Sequence, residues 1–207
     1  MAKNESKTEQ RSGRIVGRRY RYTEDYKVLP ALGGPGGRGK RVIYTAPWIV
    51  PELDAGNWQK LVRALRTLTA LAVLAYVASF CAVPPPMENK WYVPVLALGA
   101  FPLAYQVMGA FSLPPEKKPL ERQQYDKSFV RVHHSAVFAF VLLCLSALCF
   151  AVCQILAAAG VLQTAPLAAG DAAFAVLLVL MAAAELLIRR LCRRIKTDTL
   201  ENSAYSG

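Results

Sequence analysis

Ala136-Val137-Phe138-Ala139-Phe140-Val141-Leu142-Leu143-Cys144-Leu145-Ser146-Ala147-Leu148-Cys149-Phe150-Ala151-Val152 decides the fold class, because Ser146 is the only polar residue in it. A helix on the surface of a water-soluble protein keeps a polar face towards solvent, and this stretch has no such face. It belongs in lipid. With its flanks the block runs from about Val132 to Ala158 and carries no charge after His133-His134. That is longer than the roughly 20 apolar residues needed to cross the hydrocarbon core.

Three more blocks qualify on the same ground. One runs from about Leu61 to Val83 and stops at Pro84-Pro85-Pro86; a second runs from Trp91 to about Leu113 and stops at Pro114-Pro115. The last runs from about Ala168 to Ile188, before Arg189-Arg190. Proline lacks the N–H and restrains the residue before it, so the blocks cannot fuse into longer helices. The expected fold is an all-α integral membrane protein of four transmembrane helices, arranged as two helical hairpins. A small cytoplasmic segment with a β-hairpin should precede them.

Charge fixes the expected orientation. The 207 residues are 54% hydrophobic and carry a net charge of +11. Of the 25 Lys and Arg, 14 lie in the region up to Arg66, 5 in the middle loop and 5 in the tail from Arg189, against 1 and 0 in the two short loops. Lys and Arg near span ends stay on the cytoplasmic side, so both termini should lie there. Residues 1–22 have no apolar h-region, so no signal peptide is expected. Short outer loops and Ala/Leu-rich spans lean towards a bacterial plasma membrane. Trp91 and Tyr92 are placed at one interface, and Trp58, Tyr125 and Phe129 at the other. Trp58, Leu61, Val62 and Leu65 recur at helical spacing among Lys60, Arg63 and Arg66, as if lying in the headgroup layer, with Asn57 or Asp54 as the helix cap.

Residues 1–13 are polar and without aromatics, a composition that favours disorder. Segment 14–56 should hold the β-hairpin. Its arms read as Arg19–Thr23 and Arg41–Thr45, rich in β-branched and aromatic residues. A faint echo overlays 22–28 on 44–50, and the glycine run 33–39 reads as the connecting loop. Gly39-Lys40 is followed by Arg41 rather than Ser or Thr, so a phosphate-binding P-loop is not indicated. The bundle should occupy 57–190 and a cytoplasmic tail 191–207. Arg14, Arg18, Arg19 and Arg21, with Arg189, Arg190, Arg193 and Arg194, are placed against anionic headgroups, each worth about 1 kcal/mol near the surface. Tethering to the membrane favours lipid over nucleic acid as their partner.

Candidate chemistry is sparse. Ionisable groups within a span are functional candidates, and Glu185 is the main one. Arg189, one turn later, suits it as an ion-pair partner near the headgroups. Asp171 suits the positive start of the last helix. Gln106 sits four residues after Pro102, whose ring should kink the second span and free a carbonyl. Ala100 and Ala104, like Cys149, Cys153 and Ala157, offer small side chains for close helix packing. Adjacent His133 and His134 point apart and lack further ligands at helical spacing, so no metal or other cofactor is expected. The five cysteines show no C-x-x-C spacing. With no nucleophile–base set and no paired carboxylates, the expectation is a non-enzymatic accessory or scaffolding subunit meeting a membrane or cytoplasmic protein partner. The alternative is a small oligomeric transporter or channel subunit using Glu185 and Gln106.

Overall fold

The computed structural model describes residues 22–30, 40–83, 90–162 and 169–200. The tail 1–13, Arg14, Arg18, Arg19, Arg21, the glycine run 33–39, the triple proline and residues 201–207 lie outside the described residues. A 3₁₀ turn (Thr23–Asp25) leads into β1 (Tyr26–Pro30), β2 (Lys40–Tyr44) and β3 (Trp48–Pro51). Helix α1 (Ala55–Ala82) follows, then α2 (Tyr92–Leu98) and α3 (Ala100–Ser112). A short α4 (Arg122–Tyr125) continues through a π-helical turn (Asp126–Val130) into α5 (Arg131–Ala158). The chain closes with α6 (Ala169–Arg193) and β4 (Thr197–Leu200).

Four helical segments are long and apolar enough to cross a membrane: Ala55–Ala82, Tyr92–Ser112, Arg122–Ala158 and Gly170–Arg193. Their outer and inner surfaces invert the pattern of a water-soluble bundle. Leu74, Phe101, Met108, Leu148, Ile155 and Val179 are each more than half exposed, while Thr69, Ser79, Gln106, Ser146 and Glu185 are at most 1% exposed. Water would expel such a surface; lipid solvates it. The helices form a ring in which α1 packs on α6 and α3, and α5 packs on α6, α3 and α2. Consecutive spans are therefore neighbours, as the two-hairpin reading expects, and the first span also lies against the last.

Each span turns one seam inwards at alternating steps of three and four residues. In α1 the buried positions are Trp58, Val62, Leu65, Thr69, Ala72 and Ser79, and in α6 they include Phe174, Leu178, Met181, Glu185 and Ile188. Such a 3.5-residue spacing is the seam of left-handed helix packing. Gly109 of α3 is one consequence, since a Cβ there would sit 2.8 Å from Val132 Cγ2 and 3.0 Å from the Ser128 carbonyl. The exposed pair Ala100 and Ala104 does not make the close approach expected of it, because this seam passes through Gly99 and Leu103 instead.

The second span breaks at Gly99, three residues before Pro102. Pro102 has no N–H to donate to the Leu98 carbonyl, and the Gly99 N–H donates to the Leu96 carbonyl at 2.8 Å. The loosened carbonyls of Leu96 and Ala97 accept from the Tyr76 hydroxyl of α1 at 3.2 and 3.1 Å. A Cβ on Gly99 would meet the Leu96 oxygen at 2.9 Å and the Tyr76 ring at 3.4 Å, so the bend depends on glycine. The carbonyls at the end of α3 are met similarly. Arg66 Nη2 donates to Leu113 at 2.7 Å, and Trp58 Nε1 donates to Pro114 at 3.1 Å.

Several expected features need correction. Trp58, Val62 and Leu65 do not turn their side chains towards headgroups; they are 0–1% exposed and pack on Leu113, Leu120, Phe129 and Ile188. Tyr92 and Phe129 are likewise buried, leaving Trp91, 60% exposed, as the open aromatic of the expected belts. Asp54 occupies the cap position of α1 without a side-chain bond, and Asn57 falls inside the helix. Arg189-Arg190 does not end the last helix, which runs to Arg193, since cations suit a helix C-terminus. The first hairpin arm is Tyr26–Pro30, with Thr23 in the preceding turn. Finally, the tail is not merely appended. Its strand β4 pairs antiparallel with β3, Trp48 opposite Leu200 and Pro51 opposite Thr197.

Replacing Tyr76 by Phe should leave the bend with unmet carbonyls in hydrocarbon and lower stability by about 1 kcal/mol, measured as a reduced unfolding midpoint in lipid nanodiscs. An unchanged midpoint would show that the bend is self-sufficient.

Candidate functional site

Two regions concentrate polar chemistry: a layer inside the bundle and a cap at one end of it. The interior layer follows from the seams. Leu65, Ala110, Ala136 and Ile188 belong to one apolar cluster, and Ala72, Leu103 and Ala184 to the next. Thr69, Gln106 and Glu185 occupy the seam positions between these clusters, on α1, α3 and α6. All three are 0–1% exposed. The structure thus brings together the two residues singled out in the sequence, and adds Thr69. Its threonine was visible only as one hydroxyl among several, because its place in the layer depends on which face of α1 turns inwards.

Neither carboxyl oxygen of Glu185, neither polar atom of the Gln106 amide, nor Thr69 Oγ1 makes a hydrogen bond of ordinary geometry among the described residues. The Gln106 amide nevertheless stands close enough to act on the Glu185 carboxyl. The expected Glu185–Arg189 ion pair is not formed. The buried stripe of α6 runs through Met181, Glu185 and Ile188, which carries Glu185 inwards, whereas Arg189 lies one position off that line and its Nε finds no partner. Beside Glu185 is a cavity of about 10 Å³ walled by Ala72, Tyr76, Gly99, Leu103, Ala139 and Met181. Space of that size holds about one water molecule. Polar groups around it could hydrogen-bond such a water, while a solute has no room.

At the other region, three segments distant in sequence fold onto one another. Ile49 and Leu120 exchange backbone hydrogen bonds of 2.9 Å, joining β3 to the loop before α4, while β4 covers the other edge of β3. Tyr26 faces Tyr44 across the β1–β2 ribbon, their rings 5.3 Å apart edge to face. Tyrosine hydroxyls then tie the ribbon to the loop: Tyr22 donates to Asp126 and Tyr26 to Glu121, both at 2.7 Å. The Arg122 backbone N–H donates to the Tyr44 hydroxyl at 3.0 Å, and its guanidinium lies 3.9 Å from Asp25. Burial, helped by the Glu121 carboxylate that its hydroxyl meets, pushes Tyr26 up to about 12. Burial also raises Tyr44. Both hydroxyls remain donors throughout the physiological range.

The N-terminal segment, the middle loop and the tail therefore share one end of the bundle. These are the three segments that hold 24 of the 25 basic residues. Of the cations placed against headgroups, Arg190, Arg193 and Arg194 are exposed and Arg189 is half-buried. The rings of His133 and His134 are 5.7 Å apart, and no group of three or more potential metal ligands occurs among the described residues. Cys153 and Ala157 are buried on the helix interface, the packing role their spacing suggested. Comparison with protein-family models, with curated proteins and with solved structures finds no match for this chain.

Because its carboxyl lacks a good partner, Glu185→Met should raise stability in nanodiscs, by about 1–3 kcal/mol. A fall in the unfolding midpoint would mean that the carboxyl holds the helices together.

Proposed function

We propose that this protein is a non-enzymatic multi-pass membrane subunit, an accessory or scaffolding component with its folded cap in the cytoplasm of a bacterial cell. One observation carries the reading: the described segments outside the spans at the basic end are joined to one another, with β3 paired to the tail and bridged to the middle loop. A cap so anchored presents a fixed surface, with Val42 of the ribbon 61% exposed, where a cytoplasmic protein can dock. The bundle interior supports the same view, since the cavity beside Glu185 would admit only water. Orientation rests on the distribution of Lys and Arg.

The second reading, a small oligomeric transporter or channel subunit, draws on Thr69, Gln106 and Glu185. An unpaired carboxyl within a span is costly, and such groups commonly mark ion pathways.

Two measurements decide between them. Affinity purification in mild detergent should recover a stoichiometric partner, and deleting residues 14–45, which leaves β3 in place, should abolish its recovery. A chain that purifies alone and monomeric would refute the accessory role. The transporter reading requires that Glu185→Gln abolish a proton- or cation-driven flux in vesicles; undiminished flux removes it. For orientation, a reagent unable to cross membranes should label Asn89→Cys on intact cells and spare Lys196→Cys, with native cysteines replaced. The opposite pattern would invert the topology.

A further inference from the structure

Where the start of α5 meets the end of α6, a cavity of about 280 Å³ opens at the capped end of the bundle. Tyr125 and Phe129, rings 5.8 Å apart, line its apolar part. His133, His134 and Arg193 supply its polar part, and Ile195 completes the wall. No carboxylate lines it. Asp126, the nearest acidic side chain along this helix, accepts the Tyr22 hydroxyl at 2.7 Å. Arg189 adds a second guanidinium within electrostatic reach of His133. Moreover, His133 Nδ1 and Arg189 Nε are shielded from solvent and have no hydrogen-bond partner.

We propose that this cavity is a phosphate-binding site, taking either the phosphodiester of an anionic lipid headgroup or inorganic phosphate. Its depth in the molecule suits the first source, because the cavity lies where the apolar spans give way to the basic cap. Arginine and imidazole donors on phosphate oxygens form short, charge-assisted hydrogen bonds, and Arg193, His133 and His134 bring such donors to the cavity wall. The aromatic floor matches the glycerol and upper acyl carbons of a lipid. The negative C-terminal end of α6 opposes an anion, and the full charges of Arg193 and Arg189 exceed that partial charge. The site goes beyond the accessory role and does not depend on it. It also separates the basic residues of the last helix: Arg193 lines the cavity, whereas Arg190, exposed on the same turn, does not.

The test is calorimetric titration of the full-length protein in neutral detergent. The probes are dihexanoyl phosphatidylglycerol, dihexanoyl phosphatidylcholine and inorganic phosphate. Saturable one-to-one binding of the phosphatidylglycerol is expected, with Arg193→Ala and His133→Ala each weakening it about tenfold and Arg190→Ala leaving it unchanged. Inorganic phosphate binding alone, with the same dependence on the variants, would support the site and assign it a soluble ligand. If Arg193→Ala fails to purify, His134→Ala, altered at an exposed position, carries the same expectation. Equal loss in Arg190→Ala and Arg193→Ala would reduce the effect to diffuse surface attraction and overturn the proposal. Equal binding of the phosphatidylcholine, or no binding of any probe, would overturn it too.

Discussion

Hydrocarbon gives one helix no reason to hide its leucines against another, so the bundle must be held by close fit and by polar groups meeting inside. That constraint accounts for the seams. Trp58, Val62, Leu65, Thr69, Ala72 and Ser79 on the first span face Leu96, Gly99, Leu103, Gln106 and Ala110 on the second, among other neighbours. Small and polar side chains alternate in this list with Leu65, Leu96 and Leu103, while Leu71, Leu74, Leu98 and Phe101 are turned outwards. Gly109 stands where the backbone of the third span comes close, and at Gly99 a methyl group would run into the Leu96 carbonyl of its own helix.

The same constraint governs the bend in the second span. Proline at 102 removes a donor, glycine at 99 absorbs the change of direction, and Tyr76 reaches across from α1 to serve the exposed carbonyls. The small cavity lies against this bend, with Glu185 on its far side. A bent helix, a void and an unpaired carboxyl in one layer form a locally unfavourable arrangement inside an otherwise well-packed bundle. Sites of that kind persist when activity or assembly needs them.

Much of this was legible in the residues themselves. Span number followed from the length of apolar runs and from prolines, although the first and third helical segments begin earlier, at Ala55 and Arg122, and the last runs on to Arg193; the sharing of one end by three segments followed from where Lys and Arg lie. The inward faces were not legible by the usual rule, which seeks the most apolar face. Arg189, one turn later, points to a Glu185 near the headgroups, whereas the inward stripe through Met181 and Ile188 carries it into the bundle. Glu185 and Gln106 were identified as residues of interest, yet their meeting with Thr69 required the register of three helices. Strand β4 escaped notice because Thr197-Asp198-Thr199-Leu200 is short and polar, and only its pairing with β3 makes it a strand.

That pairing has an implication for how the molecule comes into being. Ribosomes deliver β3 before the first membrane crossing and β4 after the last, so nearly the whole polypeptide separates their synthesis. Until residue 200 emerges, β3 keeps a bare edge of unsatisfied amides and carbonyls on the side that β4 will cover, the kind of surface that invites aggregation and cellular surveillance. Closure of the two strands therefore waits on the residues that follow the last span, and a product that stops before Thr197 leaves that edge of β3 open.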